Sequence, residues 1–210
     1  MKNLFFVFGA CLMFACKSAE LEVKESKNDT GKLFQGTGEL EPVGVIPGDD
    51  CQQIDIGDKA CNFRLTDQNG KTWDLYEHEG DVIVLDFSAV WCYPCQLAAD
   101  HSQPIQDEYS DNGVQIVTIL IDGPTSGTEP TEYDIDQWVN LHNVTTAPVL
   151  QGSRDKMLDT QDGSIDNPGV TGYLLSAYPT YIYIGRDMRF YAGHAGFSED
   201  YMRLKIQEGL

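Results

Sequence analysis

Residues 82–95, VIVLDFSAVWCYPC, constrain the fold more than any other part of this 210-residue chain. The first half of the segment is apolar and rich in β-branched residues, which predicts a central strand over 82–87 that is buried on both faces. Two cysteines follow in C-x-x-C spacing, and Pro94 between them suits the first turn of a helix. A buried strand that leads into a helix beginning at two cysteines indicates a layered α/β domain.

The rest of the chain predicts a mixed central β-sheet flanked by helices, with an N-terminal β-hairpin extension. The hairpin comprises 62–65 and 72–75 around the turn sequence DQNG, and 114–121 is a second buried strand. The other predicted elements are helices at 94–109, 133–142 and 199–207, the last capped by Ser198, and antiparallel strands at 180–184 and 189–192. Pro104 is expected to kink the first helix. Residues 151–175 are interpreted as an insertion.

The N-terminus has the pattern of an export signal over residues 1–15, with Lys2 followed by a charge-free apolar run. The run is too short for a spanning helix, which needs about 20 residues. It ends at Ala15 and Cys16, and a small residue followed by Cys at this point resembles a bacterial lipoprotein signal. The resemblance implies that Cys16 is lipidated. The polar, acidic and glycine-rich composition that follows predicts a flexible tether, so that 16–50 comprises the lipidated cysteine and the tether. A plain cleaved signal, or a buried Cys16, is the alternative.

Four cysteines lie in the predicted domain, 51–210: Cys51, Cys61, Cys92 and Cys95. An even number of cysteines in an exported protein favours disulfides. Cys51 and Cys61 are interpreted as a structural disulfide, which would stabilise the fold by about 2–3 kcal/mol. A zinc site of four cysteines is the alternative, but such sites usually take two closely spaced pairs.

Residues 86–95, DFSAVWCYPC, resemble the active-site segment of the thioredoxin superfamily, and Tyr178-Pro179-Thr180 resembles the cis-proline loop of that family. Residues 57–65, GDKACNFRL, resemble the N-terminal hairpin of the redoxin, or TlpA-like, branch. The resemblance implies a thioredoxin-like fold and a membrane-anchored, periplasm-facing thiol–disulfide oxidoreductase of the cell envelope. We expect a reductase of exported proteins, because Pro94 between the cysteines and the negative charge of the chain both disfavour the Cys92 thiolate. The resemblance suggests apocytochrome c as one candidate client, and an upstream membrane electron donor is expected.

The chemistry assigns roles to the residues that carry this resemblance. A thiolate attacks a disulfide, and a second thiol resolves the mixed disulfide. Cys92 is predicted to attack, because backbone N–H groups at a helix N-terminus favour its thiolate, and Cys95 is predicted to resolve. Asp86, in an apolar strand, is predicted to have a raised pKa and to accept the Cys95 proton. A half-exposed Asp86 without a catalytic role is the alternative.

The resemblance further implies a cis peptide bond before Pro179, which would present backbone hydrogen-bonding groups to a substrate strand. The predicted substrate-binding residues are Trp91, Tyr93, Pro94 and Tyr178.

The net charge of −19, from 14 Lys and Arg against 33 Asp and Glu, argues against binding to nucleic acid and to anionic lipid headgroups. Three other functions stay open. A peroxidase on the same fold would take P-x-x-x-T-x-x-C before the attacking cysteine, where this chain has Leu85 and Ala89. A copper chaperone would use the soft thiolates, although no third ligand is evident. A non-catalytic binding lipoprotein is the third. No cofactor and no resident metal are predicted.

Overall fold

A mixed β-sheet forms the centre of the fold. The computed structural model describes residues 41–46, 48, 51, 55–158, 172–173 and 175–210. The strands are β1 (Gly44–Val45), β2 (Phe63–Asp67), β3 (Thr72–Asp74), β4 (Val82–Ala89), β5 (Val114–Asp122), β6 (Val149–Gln151), β7 (Thr180–Ile184) and β8 (Phe190–Ala195). Their order across the sheet is β1-β2-β6-β5-β4-β7-β8, and β3 pairs with β2. Strands β4, β5 and β6 are parallel, whereas β7 and β8 are antiparallel to their neighbours. The predicted α/β class is confirmed.

Helices flank the sheet, and polar side chains fix where several of them begin. They are α1 (Tyr93–Ala99), α2 (Ser102–Tyr109), α3 (Glu132–Leu141), α4 (Arg154–Met157) and α5 (Glu199–Gly209), with 3₁₀ turns at Leu75–His78 and Ser110–Asn112. Ser198 caps α5 as predicted, by accepting from the Tyr201 N–H. Thr131 and Asp134 form a reciprocal capping box at the start of α3.

The two central strands are buried because both faces of the sheet carry packed side chains. Every residue of β4 is buried. Ile83, Leu85 and Phe87 pack on one face, whereas Val82 and Val84 pack on the other, against side chains from α2 and α5. The predicted strands at 82–87 and 114–121 are therefore confirmed, each running slightly further toward its carboxyl end.

The helix predicted over 94–109 is two helices, α1 and α2, interrupted at Asp100 and His101. The interruption has a local cause. Pro104 has no N–H, and its ring is incompatible with a helical carbonyl four residues earlier, at Asp100. The helix consequently restarts at Ser102, where Pro104 falls in the first turn and needs no hydrogen-bond partner.

Two predicted ranges contain strands or helices that were not predicted there. The range predicted as tether, 16–50, includes β1, whose Gly44 and Val45 pair with β2. The range interpreted as an insertion, 151–175, begins with the last residue of β6 and with α4. The signal at 1–15, Cys16 and the tether up to residue 40 lie outside the described residues. In the described ranges, none of the helices has the length and hydrophobicity needed to span a bilayer.

Candidate active site

The two cysteines of the C-x-x-C segment lie where β4 leads into α1. Cys92 is the N-cap residue of α1, and its backbone has extended dihedral angles. Cys92 and Cys95 form a disulfide with their Cα atoms 5.2 Å apart. The Cys95 N–H points at the Cys92 sulfur, 3.3 Å away. Once the disulfide is reduced, the same N–H group can stabilise a thiolate on Cys92.

The dithiol has an apolar base and an exposed rim. Cys95 is fully buried and Cys92 is only 3% exposed, and both pack in a cluster with Leu120 and Ala99. The rim side chains are accessible: Trp91 is 44% exposed and Tyr93 is 66% exposed. Among the residues predicted to bind substrate, Trp91, Tyr93 and Pro94 thus lie at the surface beside the sulfur atoms.

The loop before β7 approaches the dithiol from another part of the chain. The Tyr178–Pro179 peptide bond is cis. Tyr178 packs against the cluster that contains both cysteines, and its ring meets the Trp91 ring edge to face at 6.1 Å. The Pro179 carbonyl accepts from the Gly196 N–H. The fold therefore brings the segments around residues 92 and 179 together, although 87 positions separate them in sequence.

Asp86 carries a buried carboxyl group and lies on the same face of β4 as Val82 and Val84, the face that packs against α2 and α5. Its exposed fraction is 1%, and the Ser88 hydroxyl donates to its Oδ1 atom at 2.7 Å, whereas Oδ2 has no partner among the described residues. Burial raises the pKa of Asp86 to about 7, against the opposing effect of hydrogen bonds to its carboxylate form. The expectation of a half-exposed side chain, which belonged to the alternative, is thus wrong.

The strand register places Asp86 and Cys95 on the same side of the sheet. Side chains alternate along β4, so Asp86 and Ser88 face the same way. Ser88 lies opposite Leu120 of β5, and Leu120 packs with Cys95. A carboxyl group with a pKa raised to about 7 therefore lies on the same face of the sheet as Cys95.

Asp122 and Arg154 also lie at the site, although neither residue was predicted from the sequence. Asp122, the last residue of β5, is fully buried and accepts from the indole Nε1 of Trp91 at 3.2 Å. Arg154, the first residue of α4, donates to both oxygens of Asp122. The signal for Asp122 was a carboxylate at the end of an apolar strand. Arg154 had no such signal, because it lay in the range interpreted as an insertion.

The other predicted site residues lie apart from this arrangement or outside the described ranges. Cys51 and Cys61 form a second disulfide before β2, with their Cα atoms 4.9 Å apart. Cys16 lies outside the described residues. Within the part of the chain that the structure describes, there is no cluster of three or more His, Cys, Asp or Glu side chains that could hold a metal ion.

Comparisons with known proteins find a matching family model and relatives that are named thiol-disulfide oxidoreductases. A family model described as the AhpC/TSA family matches residues 56–188. Over 101 residues the chain is 32% identical to a protein named thiol-disulfide oxidoreductase ResA from Oceanobacillus iheyensis, and the match covers 46% of this chain and 49% of that protein. The chain spans about half the length of the curated relatives it matches.

Many solved structures resemble the present one, among them the following two. The thioredoxin domain of a thiol-disulfide oxidoreductase from Bacteroides vulgatus matches with a TM-score of 0.58 at 15% identity, over 75% of this chain and 100% of that one. The pneumococcal exposed lipoprotein thioredoxin from Streptococcus pneumoniae matches with a TM-score of 0.53 at 26% identity, over 70% of this chain and 98% of that one. The fold is therefore thioredoxin-like.

Proposed function

Because the chain belongs to the AhpC/TSA family, we propose that it is a thiol–disulfide oxidoreductase in which Cys92 and Cys95 carry the electrons. The observation that supports this most is the pairing of Cys92, at the start of α1, with Cys95 one helical turn inside, beneath the cis-proline loop. Its named relatives include thiol-disulfide oxidoreductases.

In the proposed reaction the reduced protein first attacks a client disulfide. The Cys92 thiolate forms a bond to one client sulfur, and the second client sulfur leaves as a thiolate that takes up a proton. The backbone N–H of Cys95, aimed at the Cys92 sulfur, favours the attacking thiolate. The product of this step is a mixed disulfide between Cys92 and the client.

In the second step Cys95 releases the client. Its thiol gives up a proton, its sulfur bonds to Cys92, and the remaining client sulfur leaves as a thiol. Two electrons have then moved from the dithiol to the client. Asp86 is the proposed proton acceptor for Cys95. A base is most effective when its pKa is close to the working pH, and the pKa of Asp86 is raised to about 7.

The exposed rim is the proposed client-binding surface. Trp91, Tyr93 and Pro94 are exposed and adjoin the two cysteines in the chain, and Tyr178, next to Pro179, packs against the cluster that contains both cysteines. An extended client segment beside Pro179 could pair with the backbone of this loop, which places its disulfide next to Cys92.

The proposed direction is reduction of exported proteins, with apocytochrome c as a candidate client and a membrane protein as the electron donor. Pro94, between the cysteines, carries neither a charge nor an N–H group to stabilise the thiolate of Cys92. The net charge of −19 also opposes a thiolate, and a less stable thiolate makes the pair a better reductant. We place the protein on the periplasmic side of a membrane, anchored by lipid on Cys16, and a lipoprotein thioredoxin is among its structural relatives.

Insulin reduction driven by dithiothreitol tests the activity directly. The full-length protein in detergent should accelerate precipitation of the insulin B chain, and Cys92→Ser should abolish the acceleration. Cys95→Ser should accumulate a mixed disulfide with insulin, since the attack remains and the release step is lost. Equal activity of the wild type and Cys92→Ser would refute the proposal. Faster consumption of hydrogen peroxide than of insulin disulfides would instead favour the peroxidase alternative.

A further inference from the structure

An ion pair between the buried Asp122 carboxylate and the partly exposed Arg154 guanidinium lies next to Trp91, at the rim of the dithiol. Asp122 is fully buried, and the Arg154 guanidinium binds it through two parallel hydrogen bonds, Nε to Oδ1 and Nη2 to Oδ2, each 2.7 Å long. Paired hydrogen bonds of this kind fix the orientation of both groups more strictly than a single contact does. Removal of one partner would leave an uncompensated charge in the interior.

The same carboxylate holds the residue next to the attacking cysteine. Trp91 Nε1 donates to Asp122 Oδ2, the oxygen that also accepts from Arg154 Nη2. The Trp91 ring in turn contacts the Tyr178 ring. Asp122 thus connects α4 to the dithiol segment, and Trp91 connects that segment to the cis-proline loop.

Contacts at the start of α4 and with Ser126 fix the position of Arg154, so that Arg154 can in turn orient Asp122. It is the first residue of α4, whose N-cap Ser153 accepts from the Lys156 N–H. Arg154 also donates to the Ser126 hydroxyl at 3.1 Å. Burial works to raise the pKa of Asp122, but the hydrogen bonds from Arg154 and Trp91 outweigh it and keep that pKa below its usual range. Asp122 therefore stays charged at neutral pH, and its two donors stay in place.

We propose that Arg154 is a positioning residue for thiol–disulfide exchange, acting through the buried Asp122 to fix Trp91 beside Cys92 and against Tyr178 of the cis-proline loop. The inference rests on the proposed function and deepens it. In the proposed reaction a client disulfide reaches Cys92 beside these two aromatic rings, which pack against each other and next to the cysteines. A small displacement of a positioning group lowers the rate of a reaction that depends on alignment.

The first measurement follows Trp91 itself. In the ¹⁵N–¹H spectrum of the oxidised full-length protein in detergent, the Trp91 indole resonance is assigned by its loss in Trp91→Phe. Arg154→Gln should shift this resonance and speed its exchange with solvent, because Asp122 loses the partner that orients it. The matched control is Lys156→Gln, which removes the same charge and an exposed ion pair with Glu129 from the same helix. It should leave the resonance unchanged.

The second measurement is kcat/KM for insulin reduction. Arg154→Gln should lower it about tenfold, and Arg154→Lys should recover part of the loss, because one charged contact replaces two. Lys156→Gln should stay within about twofold of the wild type, because the ion pair that it removes is an exposed one with Glu129. A double-mutant cycle with Asp122→Asn tests whether the effect of Arg154 on the reaction depends on Asp122. If Arg154 acts through Asp122, Arg154→Gln should change kcat/KM by less than about twofold in the Asn background.

A wild-type indole resonance and wild-type kcat/KM in Arg154→Gln would overturn the proposal. Losses that multiply in the double variant would overturn it too, because Arg154 would then act independently of Asp122. If Arg154→Gln does not fold, Arg154→Lys and Asp122→Asn decide, and an unchanged Trp91 resonance in both overturns it. If the wild type does not reduce insulin, the proposed function fails, and the resonance still tests whether Arg154 fixes Trp91.

Discussion

Replacement of Asp86 by asparagine removes a buried ionisable group and nearly preserves the shape of the side chain. The pKa of Asp86 is raised from an ordinary value of 3.8 to about 7 by burial. Between these two pH values the folded protein keeps the proton while the unfolded chain has lost it. Unfolding therefore releases a proton from this group, and the contribution of Asp86 to the free energy of unfolding falls as the pH rises from about 4 to about 7. The asparagine variant has no such titration.

The size of the effect follows from the two pKa values. A tenfold change in proton affinity corresponds to about 1.4 kcal/mol, so the displacement from 3.8 to about 7 amounts to about 4 kcal/mol. Asp86→Asn should thus be more stable than the wild type by about 4 kcal/mol at pH 8.5 and by less than about 1 kcal/mol at pH 4.

Guanidinium chloride unfolding of the oxidised proteins at a series of pH values measures this difference. Comparison of the two proteins at each pH cancels the titration of all the other carboxylates. Ser88→Ala provides a companion variant. Its missing hydroxyl no longer stabilises the Asp86 carboxylate, so the pH dependence should move to higher pH. A stability difference between wild type and Asp86→Asn that is the same at pH 4 and pH 8.5 would refute the reasoning.

The same variant has a kinetic consequence at the proposed active site. Asp86→Asn should slow release of the mixed disulfide, because Cys95 loses its proton acceptor, and should leave the first attack by Cys92 almost intact. Stopped-flow measurement of the two phases separates these steps. Equal slowing of both phases would contradict the proposed role.

Three other predictions concern the cysteines. Cys16→Ser should release the protein from membranes or block its processing, which fractionation of the host cells measures; unchanged membrane partition would contradict lipidation. Mild reduction followed by mass mapping should open Cys92–Cys95 before Cys51–Cys61, and simultaneous opening would mean that the second pair takes part in the redox chemistry. Titration against dithiothreitol should give Cys92–Cys95 a potential nearer about −270 mV than about −120 mV. A value above about −180 mV would require the reductase proposal to be withdrawn.

Much of the fold could be predicted because its signals are local. The mostly apolar run at β4 and the alternation of elements are properties of short segments, and they predicted every strand except β1 and β6 and every helix except α4. The β2–β6 pairing could not be predicted, because it joins residues 66 and 151, and β6 is only three residues long. The edge strand β1 was missed for the same reason, since two residues in a polar segment carry no periodic pattern.

The sequence by itself determined the dithiol and its immediate setting. A C-x-x-C at a strand-to-helix junction is specified by adjacent residues, and so is the apolar context that buries Asp86. Only the tertiary structure decided what surrounds these groups. Arg154 meets Asp122 from 32 positions away, and Tyr178 meets Trp91 from 87 positions away. Contacts of this kind depend on how the strands order themselves across the sheet, and no local pattern of residue types encodes that order.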